Sequence, residues 1–256
     1  MDTHLPQTCL KPGERLDNLI IKGYRIIQHE AEFCFSLDAI LLAHFATLRP
    51  GGTAVDLGAG TGVISLLLNA RGAGKVVGIE ISPAMSDMAA RSVAVNGLGE
   101  QIKIMQGDLR RMRELLPGGE WELVVSNPPY RLVGGGFISP NDRVAMARHE
   151  VTANLSDVVN AARFLMKFRG RFAMVHLPER LSDIMYTMRE AGIEPKRLQL
   201  VYPRIDKKPN MLLVEGVRGA NPGIDVLPPL IVYDAGGKYT NDIVRLYGGE
   251  KAFRLK

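Results

Sequence analysis

From about residue 33 to residue 217 the apolar residues fall into two alternating patterns. Short runs such as TAVDL, KVVGIE and ELVVS have the length and β-branched content of strands, and several are apolar throughout, as strands buried on both faces are. Between them lie amphipathic stretches of helical length. The pattern predicts strands over 53–57, 75–80, 102–106, 122–126, 171–176, 198–202 and 211–217, and helices over 36–47, 62–71, 83–96, 155–168 and 178–191. Ser36 caps the first helix. Ser82 caps the third, with Pro83 at its first position, and Gly192 ends the last. Strands alternating with helices predict an α/β fold with a doubly wound, seven-stranded, mostly parallel sheet. Only the loop PRIDKKPN separates the last two strands, too short for a crossover helix. The last strand is therefore expected to be antiparallel, closing a hairpin at the sheet edge.

The expected organisation is a single domain. Residues 1–50 form an N-terminal extension and lid helix, residues 51–218 the core sheet, and residues 219–256 a C-terminal clasp that packs apolar side chains on the domain. In the clasp, prolines oppose continuous sheet, Gly236 and Gly237 make a turn, and Thr240 caps a short helix that Gly248 and Gly249 end.

Composition narrows the class. With 256 residues and 46% hydrophobic content, the chain can bury a sizeable core. No stretch reaches the apolar length of a membrane helix and the N-terminus lacks a signal peptide's apolar centre, so a cytoplasmic location is expected. Cys9 and Cys34 are too few for a disulfide framework, and no Cys/His cluster has zinc spacing; both thiols are expected to be reduced and no metal is expected. Lys and Arg exceed Asp and Glu by 32 to 27, which permits a polyanionic partner without demanding one.

The chemistry begins at AVDLGAGTGV. Gly58, Gly60 and Gly62 let the backbone turn tightly from strand into helix and press against a ligand at the switch point of the sheet. Val63 stands where a dinucleotide fingerprint places its third glycine, and Asp56 just before the turn would repel a pyrophosphate. That carboxylate can instead hold the ammonium of an amino-acid moiety, directly or through water, which favours S-adenosylmethionine over NAD. Glu80 ends the next strand, where it can accept from both ribose hydroxyls. Asp108, after the third strand, is placed to accept from the adenine amine, with Ile81 and Leu109 flanking these acids. Alone, Glu80 is a solvated strand end and Asp108 a helix cap. Their order, each at the carboxyl end of a successive strand, favours the joint reading.

In this motif order residues 33 to about 217 resemble the class I S-adenosylmethionine-dependent methyltransferases. The stretch VVSNPPY follows the fourth strand, beside the one carrying Asp56, so Asn127 is expected to face the cofactor's methyl group. Pro129 restricts Pro128, Pro128 biases Asn127 toward extended backbone, and neither proline has an N–H to fold the carbonyls inward. The Asn127 side-chain oxygen and the Pro128 carbonyl can then bind both hydrogens of a planar amine and direct its lone pair outward, while Tyr130 can stack on the substrate. The pattern resembles the NPPY motif of methyltransferases acting on adenine amines in DNA or RNA, guanine amines in ribosomal RNA, and glutamine amides in release factors.

The segments FCFSLDAILLAHF, ARHE and PPLIVY…YT resemble, over nearly the full length, the bacterial family that methylates the exocyclic amine of an adenine in the anticodon loop of a valine tRNA. The resemblance implies an RNA substrate, with S-adenosylhomocysteine as product. It also implies that the segment holding Phe35, Ser36 and Asp38 helps to cover the cofactor. Glutamine methylation is the runner-up, disfavoured because only about fifty residues precede the glycine loop. An rRNA base remains a substrate alternative. A non-catalytic RNA-binding module would not need the complete set of Asp56, Glu80, Asp108 and NPPY, and an NAD oxidoreductase is remote. Arg110, Arg111 and Arg113, and separately Arg204, Lys207 and Lys208, are candidates for phosphate contacts. Residues 131–141, with Gly134 to Gly136 and Phe137, can order over the base. His149 is expected to be structural or positioning.

Overall fold

The computed structural model describes residues 10–19, 21–29, 37–128 and 153–247. Cys9, Cys34, Phe35, Ser36, Pro129, Tyr130, the 131–141 loop, His149, Gly248 and Gly249 lie outside the described residues.

The described chain opens with a hairpin, β1 (Glu14–Asn18) and β2 (Arg25–His29), paired antiparallel in a two-stranded sheet. Then come α1 (Leu37–Phe45), β3 (Thr53–Leu57), α2 (Val63–Ala70), β4 (Lys75–Glu80), α3 (Pro83–Val95), β5 (Ile102–Gln106), the one-turn α4 (Met112–Leu115) and β6 (Trp121–Ser126). After the interval follow α5 (Leu155–Leu165), β7 (Met166–His176), α6 (Leu181–Glu190), β8 (Ile193–Tyr202), β9 (Met211–Arg218), the two-residue strands β10 (Asp225–Val226) and β11 (Leu230–Ile231), and α7 (Asn241–Leu246).

The main sheet has the order β10-β8-β9-β7-β6-β3-β4-β5, with β11 also paired to β8. All seven expected strands are present, and β9 alone runs against its neighbours. The hairpin is not at the edge, however: β9 is inserted between β7 and β8, and β8 is in turn flanked by β10 and β11 from the tail. Strand alternation divides the core. Ala54, Val76, Leu123, Val125, Ala173 and Val175 face α1 and α2, whereas Val55, Val77, Val124, Phe172 and Met174 face α5 and α6. The chain crosses from one side of β3 to the other between β5 and β6, so the switch point of the sheet lies between β3 and β6.

Some helix ends differ from expectation: the helix expected to residue 47 ends at Phe45, and the one expected from residue 178 begins at Leu181, after a 3-10 turn over Pro178–Arg180. The helix predicted to Phe168 stops at Leu165, because Met166 turns extended and pairs with Trp121, starting β7 without a loop. Thr240 does precede α7, but its hydroxyl donates to the Ile231 carbonyl (2.6 Å) instead of capping the helix. Ser82 caps α3 as its sequence implies. No helix among the described residues is long and apolar enough to cross a membrane.

Candidate active site

Every strand from β3 to β7 points its carboxyl end toward one rim of the sheet, and the register brings the sequence-predicted acids together there. Leu57 pairs with both Ile79 and Ser126, so Gly58, Glu80 and Asn127 stand at one level on β3, β4 and β6, and Gln106 joins them on β5. At sheet spacing, Asn127 and Glu80 are two strands apart, about 10 Å. Side-chain parity adds a second constraint. Asp56, Gly78 and Glu80 alternate with Val55, Val77 and Ile79, which places both acids on the face covered by α2.

Asp56 is fully buried and its Oδ2 accepts from the Ser65 hydroxyl (2.8 Å) in the first turn of α2, while Oδ1 has no partner. Burial, only partly offset by Ser65 and reinforced by the neighbouring Glu80 charge, pushes its carboxyl up to about 7. The residue opposite on β4 is Gly78, where a Cβ would stand 3.0 Å from Ser65 Oγ and 2.8 Å from Ile104 Cδ1. Glycine there is required by the close approach. A buried, unpartnered carboxylate oxygen is costly unless a cation or donor completes it.

The loop supplies the cavity beside that oxygen. Gly58, Gly60 and Gly62 all have positive φ (73°, 57° and 88°), a region L-residues with side chains enter only with strain. A Cβ on Gly58 or Gly60 would meet nothing within 4 Å, whereas one on Gly62 would stand 3.1 Å from Ala89 Cβ. The first two glycines therefore border open space, and the third lets α2 approach α3. Glu80 is 6% exposed and accepts from the Gly60 N–H at one oxygen and from the Ser82 N–H at the other, both at 2.8 Å. Each oxygen keeps a second lone-pair direction for an incoming donor. The open glycine face, the orphaned Asp56 oxygen and the Glu80 carboxylate together fit the amino-acid and ribose parts of S-adenosylmethionine. Ile81, 42% exposed, follows Glu80 at the same rim.

Asp108, the third acid, is half-buried one residue beyond the loop after β5. It accepts from the Arg110 N–H (2.9 Å), capping the short turn Leu109–Arg111, and its carboxylate also pairs with the Arg110 guanidinium. That guanidinium holds the carboxyl below the ordinary aspartate range. The geometry shows the capping role, and an amine arriving at Asp108 would have to compete with the exposed Arg110. Leu109 is partly buried against the α5 side of the core.

Asn127 is half-buried and Pro128 buried, immediately after Ser126, whose hydroxyl donates to the Leu57 carbonyl (2.9 Å). That bond ties the end of β6 to the start of the glycine loop. Asp38 lies at the first turn of α1, 5% exposed, its carboxylate accepting from the Ala39 N–H (2.8 Å). The opposite end of α1 is held by Arg71, which ends α2 and donates to the Ala43 and Ala46 carbonyls. Since α2 starts at the rim and runs away from it, α1 does the same, and Asp38 belongs to the rim end. His176 also reaches the rim, closing β7. Burial takes its imidazole down to about 4, and Nδ1 accepts from the Leu177 N–H (2.8 Å), so it is neutral with the proton on Nε2.

Sequence reasoning did not single out Ser65, Gly78 or Ser126. Ser65 had a legible signal, a polar residue nine positions after Asp56 in an otherwise apolar helix. Gly78 and Ser126 had none, because their roles depend on cross-strand neighbours.

Comparison with known proteins gives the family and the fold. Residues 54–134 match the methyltransferase domain family. The chain is 31% identical over 240 residues to a tRNA1(Val) (adenine(37)-N6)-methyltransferase of Porphyromonas gingivalis, covering 90% of this chain and 93% of that one. Among solved structures, a protein described as a "predicted O-methyltransferase" from Agrobacterium tumefaciens superposes with a TM-score of 0.68 at 23% identity, over 83% of this chain and 96% of its own. Geranyl diphosphate C-methyltransferase from Streptomyces coelicolor, solved with S-adenosyl-L-homocysteine, superposes with a TM-score of 0.53 at 14% identity, over 70% and 77%. The last two likenesses speak for the fold. With its rim acids, glycine loop and full-length relative taken together, the chain belongs to the tRNA1(Val) (adenine(37)-N6)-methyltransferase family and is an S-adenosylmethionine-dependent methyltransferase.

Proposed function

We propose that the chain transfers a methyl group to the exocyclic amine of an adenine in tRNA, the position that its relatives' name gives as adenine 37 of a valine tRNA. The observation that carries the reading is the alignment of Asn127 with Gly58 and Glu80 across the switch point of the sheet.

Bound S-adenosylmethionine supplies an electrophilic sulfonium methyl. The chain's own part is to position and to desolvate. Asp56 takes the ammonium, Glu80 the ribose hydroxyls and Asp108 the adenine amine of the cofactor, with Gly58 and Gly60 leaving the backbone open to it. The Asn127 Oδ1 and the Pro128 carbonyl accept the two hydrogens of the substrate amine, which withdraws its lone pair from ring conjugation and directs it at carbon. Tyr130 stacks on the base. Held there, the cofactor would supply the carbon for the new N–C bond and its sulfur would keep the electron pair of the broken C–S bond, while the cationic amine would shed its proton to solvent. No base is needed before transfer, because the amine loses its proton after it becomes cationic.

Asn127→Ala tests the reading. Affinity for S-adenosylmethionine by calorimetry is expected to stay within a few-fold of wild type, while kcat for methyl transfer falls about 100-fold or more, as on loss of a transition-state hydrogen-bond partner. Unchanged turnover would remove Asn127 from the chemistry.

A further inference from the structure

The two basic clusters singled out in the sequence have different surroundings. Arg110 pairs with Asp108, Arg111 pairs with Glu114 at 2.7 Å, and the Arg113 guanidinium lies 4.7 Å from the Phe164 ring centroid. All three are engaged within the molecule. In the 203–210 loop, by contrast, Arg204, Lys207 and Lys208 are all exposed, and Lys207 has only a loose 3.8 Å contact with the equally exposed Asp206. Arg204 and Lys208 form no ion pair among the described residues.

The topology sets this second cluster at the catalytic rim. Since β9 is antiparallel to both β7 and β8, β8 runs in the direction of β6 and β7. Its last residue, Tyr202, therefore ends at the rim that carries Asn127. Three strand intervals separate β8 from β6, roughly 14 Å, a few nucleotides along an extended strand. β11 runs parallel to the end of β8, and the ladder continues as the Val232 N–H donates to the Tyr202 carbonyl (2.8 Å) and the Tyr233 N–H to the Pro203 carbonyl (2.9 Å). The tail thus delivers Tyr233 to the same rim, against the basic loop.

Tyr233 is the outer ring of an aromatic stack. It bridges antiparallel to Tyr239 through a turn that Asp234 closes, accepting from the Lys238 N–H (3.0 Å). The two rings are 5.1 Å apart at 13°, and Tyr239 stacks in turn on Tyr247 at 6.1 Å and 25°. Exposure grades along the stack: Tyr247 and Tyr239 are half-buried, Tyr233 is 36% exposed. The Arg204 guanidinium reaches the turn itself, 3.5 Å from where a Cβ on Gly237 would stand. A rigid aromatic face beside unpaired cations has the composition of a single-strand nucleic-acid platform, where rings take bases and cations take phosphates.

We propose that this rim surface, Tyr233 on the tyrosine stack with Arg204, Lys207 and Lys208, is a second RNA contact that stacks an unpaired base a few nucleotides from the target and tracks the backbone there. The proposal rests on the reading of the substrate as tRNA, and it assigns to the tail a role in substrate binding besides packing.

The test uses an unmodified transcript of the valine tRNA and the full chain, with methyl transfer and salt-dependent binding as readouts. Tyr233→Ala should raise KM for the transcript about ten-fold with kcat and S-adenosylmethionine affinity retained, and Tyr233→Phe, which keeps the ring, should match wild type. The triple variant Arg204→Gln, Lys207→Gln, Lys208→Gln leaves the stack in place. It should reduce the slope of log affinity against log salt by about 2, as three single-strand phosphate contacts are lost. If wild type methylates the transcript while Tyr233→Ala keeps the wild-type KM and the triple variant keeps the wild-type salt slope, this surface is overturned and the substrate reading stands. If wild type methylates no tRNA, the substrate reading fails and the proposal falls with it.

Discussion

Asp56 shows how far a single side chain can be read. Its position before a glycine turn is visible in the sequence, and so is a cation as its natural partner. Its burial and its bond to Ser65 are not, since both arise from the packing of α2 on β3 and β4. The raised carboxyl has a thermodynamic consequence. Folding without cofactor retains a proton on Asp56 between about pH 4 and pH 7, where the unfolded chain has already released it. Stability of the cofactor-free protein therefore falls as pH rises through that window, and the full penalty, on the order of a few kcal/mol, is present above it. Asp56→Asn should be near wild type in urea unfolding at pH 4 but more stable at pH 8, while its affinity for S-adenosylmethionine drops. Parallel pH profiles for the two proteins would mean that Asp56 is ionised and compensated in the free enzyme. Asp108 was legible in both of its guises, as a cap and as a rim acid; the guanidinium of Arg110 upon it was not, because a two-residue separation says nothing about where a long side chain folds back.

At the scale of elements, strands buried on both faces declared themselves as continuous apolar runs, and all seven were found. Their ends were less visible. The β7 strand begins at Met166, five residues before expected, because Leu165, Met166 and Phe168 continue the apolar spacing of α5 and no glycine or proline marks the change. The β1–β2 hairpin went unassigned in a mixed stretch of charged and apolar residues. It is held by partners distant in sequence: the Ile27 N–H donates to Ser92 Oγ (2.9 Å), and Arg91 on α3 grips Glu14. The tail carries the clearest test of element packing. Ile243 on the six-residue α7 is fully buried among α1 and sheet residues. If the tail folds as an integral part of the domain, Ile243→Ala should cost about 2–4 kcal/mol, read as a lower urea midpoint with an unchanged m-value. An unchanged midpoint would make the tail a loosely attached appendage.

For the whole molecule, the doubly wound class followed from strands alternating with helices, and it sets the candidate site at the switch point of the sheet. The place of β9 did not, because a short loop dictates only that β8 and β9 pair, not which of them meets β7. The insertion sets β8 two strands away from β7 and, because β8 runs in the direction of β6 and β7, the 203–210 loop and the tail stand at the rim where Asn127 stands. A buried charge holds that arrangement to α1. Glu215, in the middle of β9 and fully buried, accepts from the Thr47 N–H (2.6 Å) and hydroxyl (2.8 Å) and from Arg171 (2.9 Å). Rim, glycine loop and tail thus form one framework, whose most direct test is the identity of the methylated unit. The enzyme should be incubated with labelled S-adenosylmethionine and, separately, with unmodified valine tRNA, rRNA and release factor, and each product digested to its units. The structure predicts label in N6-methyladenosine from the tRNA alone; label in a glutamine amide or a guanine, or in none of the three, would contradict it.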